Sequence, residues 1–313
     1  MLVFMKGGKM LTKYTKIFTL MVLANSAHAG GADIKSALES NAYSAANQAF
    51  AHGNSAIESW ARDNISSLRL IELETKVRDS SKPDFRILSM FEIIGDNQNT
   101  ILSQLSFSTF DSRETINAGL IYRTFNANKT VLYGTNFFYD QQFRTGHQRF
   151  GIGFEIKSSV YDFNLNFYDA SSSIHHVDGV PEVAAGGYDA EIGMVVPFVP
   201  WAKVYYKAYQ WNNETLNIKN GENLSLYMEP NNRMSVEAGI TNNSTLSSKK
   251  TFVKLNYILC CADEKTRPSM FVSSQAFTYT PLEDRRIYEK VRRENNIIVV
   301  RGGGGISVTA SGF

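Results

Sequence analysis

The feature that most constrains the fold is an alternation of apolar and polar side chains with a period of two, which begins after residue 64. In the stretch 131–140 the odd positions are Val, Tyr, Thr, Phe and Tyr, whereas most even positions are small or polar. This period is typical of β-strands whose two faces meet different surroundings. The chain is therefore predicted to be all-β over most of its length.

The alternation recurs in about twelve segments of roughly ten residues, which is the length that a tilted strand needs to cross a bilayer. The predicted strands lie at 67–77, 84–94, 100–110, 116–123, 131–140, 149–157, 161–167, 188–196, 202–209, 222–229, 234–240 and 253–257.

A strand with one apolar face fits either a soluble β-sandwich or a membrane β-barrel. Three connections are tight, at 126–129, 158–159 and 230–232, while those at 171–187 and 211–221 are longer. Tight turns at one end and long loops at the other are typical of a membrane barrel. Together with strand length, they favour a transmembrane antiparallel β-barrel of about 12 strands in the outer membrane, residues 64–260.

The N-terminus carries an export pattern. Lys13 and Lys16 precede an apolar run, and Ala27-His28-Ala29 is a small-x-small cleavage site, so residues 1–29 are predicted to be a signal peptide. Apolar residues then recur at spacings of three and four, which predicts a short periplasmic helical segment over 30–63. Met10 is the expected start, with Met1 and Met5 as alternatives.

The polar face of the strands is expected to line a water-filled lumen, and the aromatic face is expected to contact lipid. The lumen-facing candidates are Asn117, Arg123, Asn136, Asp140, Arg149, Glu155, Asp162, Glu191, Lys203, Lys207, Glu237 and Lys254. The lipid-facing candidates are Tyr133, Phe137, Tyr139, Phe150, Phe154, Phe163 and Phe167.

Enzymatic and nucleic-acid functions find little support. The net charge is only +2, which implies no strong field for nucleic acid. The adjacent Cys260 and Cys261 are not expected to form a disulfide or to bind a metal. His175-His176 in the longest predicted loop is more often a solvated pair than a site, and a nucleophile elbow is lacking. No catalytic residue, metal or cofactor is expected.

Two stretches resemble a known family: "FSTFDSRETINAGLIYRTF" and "VLYGTNFFYDQQFRTGHQRFGIGFEIK" look like the β-domain of the intimin/invasin family, the inverse autotransporters. "IYEKVRRENNIIVV" is similar to the family segment that follows the barrel. The resemblance covers about residues 60–300. It implies a twelve-stranded barrel, a periplasmic helical region, and a linker, residues 261–300, that runs back through the pore.

The charged stretch Glu283–Glu294 of this linker is expected to form a helix, and pore occupancy follows from the resemblance. The pore-linker candidates are Arg285, Arg286, Tyr288, Arg292 and Arg293. After it only the short Gly-rich tail 301–313 is present, far below the ~100 residues of an immunoglobulin-like passenger. Binding to a host-cell receptor is therefore not expected without a passenger.

The resemblance implies an outer-membrane translocator that anchors and exports a C-terminal segment, with a link to adhesion or invasion. Its partners would be outer-membrane lipid, the barrel-assembly machinery and periplasmic chaperones. The tail and long loops would lie at the cell surface. The alternative from another class is a passenger-less, porin-like channel whose C-terminal segment stays in the periplasm.

Overall fold

A computed structural model describes most of the chain after the predicted export segment. It covers residues 58–78, 83–96, 98–110, 113–213, 216–244, 246, 248–261, 272–282 and 284–301. The chain divides into two compact units, Met1–Ser55 and Ala56–Phe313, and all described residues belong to the second. The predicted signal peptide, most of the helical segment and the tail 302–313 lie outside the described residues.

Fifteen strands are described. They are β1 Leu68–Arg78, β2 Asp84–Gly95, β3 Asn99–Phe110, β4 Arg113–Phe125, β5 Val131–Gln142, β6 Gln148–Ser158, β7 Tyr161–Ala170, β8 His175–Val177, β9 Val180–Ala184, β10 Gly186–Val196, β11 Val199–Asn213, β12 Leu216–Met228, β13 Met234–Asn243, β14 Lys250–Cys260 and β15 Val299–Arg301.

Twelve of these strands close into one antiparallel barrel, which confirms the predicted fold class. Each barrel strand pairs with the next barrel strand along the chain, and β1 pairs with β14 to close the sheet, as in Thr75↔Leu255. The neighbour of β7 is β10, because β8 and β9 leave the barrel between them. Closure satisfies the backbone of every barrel strand and leaves no open sheet edge for lipid to meet.

The remaining strands form a separate three-stranded sheet in the order β15-β9-β8. The β8–β9 hairpin lies in the connection from β7 to β10, and Asp178 and Gly179 at its tip both have positive φ. The barrel end that carries this hairpin is called the hairpin end below. The other end, from which β1 starts, is called the N-terminal end.

The prediction of a long loop at 211–221 is wrong. β11 extends to Asn213 and β12 begins at Leu216, with pairing continued through Trp211↔Lys219 and Asn213↔Leu216. Backbone pairing between the strands continues through this polar stretch, where the side-chain alternation fades. Sequence alternation therefore marks only part of each strand.

Burial along the strands follows the pleat. In β4 the residues from Thr115 to Arg123 alternate between buried and exposed, and Arg123 is fully buried. The exposed positions carry large apolar side chains such as Leu120 and Tyr122. A soluble protein seldom exposes so continuous an apolar face, so the barrel is built with its polar face inward.

The N-terminal end is joined to a short helix, residues 58–64. Arg233 Nη2 donates to Glu58 Oε2 at 2.7 Å, and Ala61 packs in an apolar cluster with Leu68 and Cys260. Burial would raise the pKa of Glu58, but hydrogen bonds from Arg62 and Arg233 outweigh it and hold the pKa below its usual value. The helix is thereby fastened beside the seam between β1 and β14.

The expectation that the two cysteines stay unbonded is also wrong. Cys260 and Cys261 form a disulfide at the end of β14. Cys261 has a φ of 68°, so the chain turns directly after the strand and brings the two sulfur atoms together. Adjacent cysteines can be joined when the backbone between them leaves the extended conformation.

Within the described residues, no helix combines the length and the apolar character that crossing a bilayer requires.

Candidate functional site

The C-terminal part of the predicted linker, residues 284 to 301, contacts strands on opposite sides of the barrel. From here on, the word linker refers to this part alone. Arg286 binds β7, Lys290 binds β1, and Arg293 binds β5. A single segment can reach all of these walls only from inside a closed barrel. The linker therefore occupies the pore and runs from the N-terminal end to the hairpin end.

The lower contact of the linker is made by Arg286. Its Nη2 lies 2.5 Å from Asp162 Oδ1 on β7, and its Nη1 lies 2.8 Å from Glu289 Oε2 within the linker. Lys203 from β11 also reaches Asp162 at 2.6 Å. Arg286 of the linker and Lys203 of β11 thus bind the same carboxylate. This contact sets the position of the linker along the barrel axis.

Arg285 and Tyr288 complete this lower part. Arg285 Nη2 lies 3.7 Å from Glu229 Oε2, and the Tyr288 hydroxyl donates to Glu92 Oε2 at 2.6 Å. Glu92 lies near the end of β2 and Glu229 follows β12, so both contacts are made at the N-terminal end of the barrel. Below the linker, a cavity of about 1140 Å³ remains open at this end of the barrel.

Lys290 makes a contact with the barrel wall that was not predicted from the sequence. Its Nζ lies 2.5 Å from Glu72 Oε1 and 2.9 Å from Glu74 Oε2, both on β1, and it also donates to Asn256. The signal that could have found it is the spacing of Glu72 and Glu74, two carboxylates two residues apart on one strand face.

Arg292 joins two further walls. It lies 2.5 Å from Glu191 on β10 and 3.1 Å from Glu237 on β13. Its guanidinium also stacks over the Tyr205 ring at 3.7 Å from the centroid. A planar guanidinium suits this position because it can bridge carboxylates and lie flat on an aromatic ring.

Arg293 points to the opposite wall. Its two terminal nitrogens lie 2.9 and 2.7 Å from the carboxylate oxygens of Asp140 on β5. Arg149 on β6 binds the same carboxylate at 2.8 Å, and Arg293 also covers the Phe138 ring at 4.2 Å. Asp140, Arg149 and Arg293 are all buried, so each charge depends on the others for compensation.

The linker is not the helix that was predicted for 283–294. The described part contains one 3-10 turn, Asp284–Tyr288, and the residues after it are not helical. Its carbonyls accept hydrogen bonds from the barrel wall instead of from its own backbone. The donors are Arg123 to Ile287 and Glu289, Asn166 to Arg292, Arg149 to Glu294 and Asn296, and Asn117 to Asn295.

Nine of the twelve lumen-facing candidates are buried in this interior: Asn117, Arg123, Asn136, Asp140, Arg149, Glu155, Asp162, Glu191 and Glu237. The three lysines are half-buried and ion-paired. Lys203 pairs with Asp162, Lys207 lies 3.8 Å from Asp189, and Lys254 lies 3.4 Å from Glu237. Arg123 binds Glu155 at 2.5 Å and thereby joins β4 to β6.

The aromatic candidates lie on the other face. Tyr133, Phe137, Phe150, Phe154, Phe163 and Phe167 are exposed, whereas Tyr139 is half-buried. Phe137 and Phe150 stack across β5 and β6 with ring centroids 5.9 Å apart. These rings lie on the outside of the barrel, and Phe150 contacts both Phe137 and Tyr139.

A second cluster, also missed from the sequence, lies at the hairpin end. Glu182 on β9 accepts two hydrogen bonds from Arg113 on β4, at 2.7 and 2.8 Å. His147 lies against the same carboxylate, and its ring meets the ring of His175 edge to face at 5.0 Å. His176, in contrast, is exposed. The two histidines of the pair thus have different environments.

In the part of the chain that the structure describes, no group of three or more His, Cys, Asp or Glu side chains is placed to hold a metal ion. Many of the charged side chains that the structure describes in the interior are instead paired with one another or with the linker. The arrangement can bind an extended polypeptide along its length.

Comparison with known proteins places this geometry among outer-membrane barrels. The family described as inverse autotransporter, beta-domain matches residues 24–295. No curated protein sequence matches the chain.

Among solved structures, a membrane protein from work on in meso crystallization has a TM-score of 0.59 and 17% identity, covering 75% of this chain and 100% of that one. A KdgM porin has a TM-score of 0.40 and 10% identity, covering 60% of this chain and 97% of that one. Outer membrane phospholipase A from Escherichia coli has a TM-score of 0.40 and 8% identity, covering 61% of this chain and 97% of that one.

Proposed function

Because this chain belongs to the inverse autotransporter β-domain family, we propose that it exports a C-terminal segment through its own barrel and anchors that segment at the cell surface. The chain is an outer-membrane β-barrel of the translocator type, and its family points to a non-enzymatic role. The observation that carries the proposal is the linker inside the pore. It passes the walls of the barrel and ends in β15 at the hairpin end.

The lumenal charges support this role by matching the linker. Linker cations meet wall carboxylates at four levels: Arg286 with Asp162, Lys290 with Glu72, Arg292 with Glu191, and Arg293 with Asp140. The side chains of the opposite face meet lipid in this proposal, with the aromatic rings of β5 and β6 as the largest contact. Assembly by the barrel-insertion machinery and escort by periplasmic chaperones are part of the same proposal, as family properties.

The orientation of the barrel in the outer membrane is the first property to test, because export requires the hairpin end to face outward. A membrane-impermeant, thiol-reactive label tests it on intact cells. Ser311→Cys in the tail should be labelled without opening the cells. A matched control is Gln275→Cys, an exposed residue that follows the barrel at its N-terminal end, which should react only after the outer membrane is opened.

Labelling of Ser311→Cys only in opened cells would reject the proposed export. Conductance across planar bilayers separates the proposal from the porin-like alternative. A translocator closed by its linker should conduct little, and deletion of 283–313 should raise the conductance strongly. A large, steady conductance that the deletion leaves unchanged would favour the channel. Adhesion or invasion needs cell-binding measurements on the exported segment.

A further inference from the structure

The β8–β9 hairpin holds the emerging linker through its backbone. β15 pairs antiparallel with β9 through Val299↔Ala184 and Val300↔Val183, and the Ala185 N–H donates to the Ile298 carbonyl at 2.8 Å. Backbone pairing of this kind places few demands on side-chain identity, which is how a sheet edge binds extended peptides. The hairpin is therefore a strand-binding site located at the exit of the pore.

The hairpin is fastened to the barrel wall by one carboxylate. Glu182 lies on β9, in register with the emerging strand, and it is fully buried. Arg113 of β4 donates two hydrogen bonds to it. His147 Nε2, from the turn between β5 and β6, lies 3.4 Å from Glu182 Oε2. This group of three side chains is called the latch below.

The partners of His147 are compatible with a neutral imidazole in the fastened position. A carboxylate paired with Arg113 can only accept, so the Nε2–H of His147 donates to Glu182. Ser172 Oγ lies 3.3 Å from Nδ1, where its hydroxyl can donate to the ring. This arrangement accommodates a neutral ring with its proton on Nε2.

A second proton on His147 would meet an unfavourable charge balance. The groups around it are Glu182 of β9, His175 of β8 and Arg113 of β4, so one carboxylate would face two cations, or three if His175 were also charged. Burial lowers the pKa of His147, and His175 and Arg113 act in the same direction, whereas Glu182 raises it. The net direction is downward.

The sign of the pH effect follows from this shift. A released hairpin exposes His147 to water, where its pKa returns to about 6.5. The released state therefore binds more protons than the fastened state as the pH falls below about 6.5, and proton uptake favours release. Above that value both states hold a neutral imidazole, and the fastened state keeps its full stability.

We propose that the β8–β9 hairpin is a strand-binding site for the exported chain, which is fastened to the barrel wall at neutral pH and detaches from the wall in acid through protonation of His147. The inference builds on the proposed outward exit of the linker. Its experiment reads the hairpin position in purified protein, so a failure of export and a failure of the latch give different results.

The test measures the distance between the hairpin and the end of β13, three strands from β10, by pulsed electron–electron double resonance. Spin labels are attached at His176→Cys on the hairpin and Ser244→Cys after β13, both of them exposed residues. The full chain is reconstituted in lipid nanodiscs without reductant, which keeps the native disulfide closed. Spectra are compared at about pH 7.5 and about pH 5, a range in which histidine changes its charge.

The distance distribution should be narrow at the higher pH and should broaden or shift at the lower one. His147→Gln keeps an N–H donor but does not titrate, so its distribution should stay narrow at both values. Glu182→Gln removes the charge that holds Arg113 and should broaden the distribution already at neutral pH. Heat-modifiable migration in gels checks that each variant has formed its barrel.

Three results would overturn the proposal. The first is an unchanged distribution in the native protein across the pH range. The second is an equal acid response in the native protein and in His147→Gln, which would assign the effect to other groups. The third is a Glu182→Gln distribution as narrow as the native one at neutral pH, because the carboxylate would then not fasten the hairpin.

Discussion

Arg293 Nη2 lies 2.7 Å from Asp140 Oδ2, and this ion pair ties the linker to β5 near the hairpin end of that strand. The same carboxylate also binds Arg149 and accepts a hydrogen bond from Asn117. A single wall residue therefore compensates one guanidinium from the linker and one from the wall. The linker is part of the electrostatic structure of the barrel rather than a loose occupant of its pore.

Replacing this carboxylate should be costly. Asp140→Asn leaves Arg149 and Arg293 buried without their counter-charge, and breaking such a buried pair costs about 3–5 kcal/mol. We expect the purified barrel to lose its heat-modifiable gel migration at a lower temperature than the native protein. Glu222→Gln is the matched control, because Glu222 lies at the exposed outer face and bonds Tyr206. Equal melting of the two variants would contradict the central role of Asp140.

The closure of the pore should depend on Arg292. Arg292→Gln removes the cation that joins Glu191 of β10 to Glu237 of β13 and leaves both carboxylates without that partner. We expect more frequent openings in planar bilayers and a shift toward cation selectivity, because the lumen gains net negative charge. Lys249→Gln removes an exposed cation at the hairpin end and should leave both properties close to native. An unaltered selectivity in Arg292→Gln would argue against the pairing.

Assembly of the barrel should be impaired by a side chain at position 119, where the native residue is Gly119. A Cβ atom at this position would collide with the Phe138 ring, and Phe138 in turn lies under Arg293. Forcing this atom into a packed interior costs about 1–3 kcal/mol. We expect Gly119→Ala to lower the fraction of heat-modifiable protein in outer-membrane preparations. Leu120→Ala, at the exposed face of the same strand, should assemble normally.

The state of the cysteines gives a prediction that is independent of packing. Because Cys260 and Cys261 are bonded to each other, the denatured, non-reduced protein should take up no maleimide. After reduction it should take up two, which intact mass spectrometry counts directly. Uptake of maleimide without reduction would show that the two thiols are free.

Strand faces were predictable because the pleat acts residue by residue. The alternation in 131–140 and 149–157 requires no knowledge of neighbouring strands, and the polar positions such as Asp140 and Arg149 are buried. The ends of the strands were harder to predict. At 211–221 the alternation fades while backbone pairing continues, and pairing depends on the partner strand rather than on side-chain pattern.

By itself, the sequence determined the class of the fold, the approximate number of barrel strands, the polar positions of the wall and the basic character of the linker. Only the tertiary structure decided which carboxylate meets which linker cation, because Lys290 and Glu72 lie far apart in sequence and meet only across the closed barrel. It also decided the shape of the linker. The stretch 283–294 has helical character as an isolated sequence, but wall donors such as Arg123 and Asn166 bind its carbonyls, and a helix would deprive those buried donors of these acceptors.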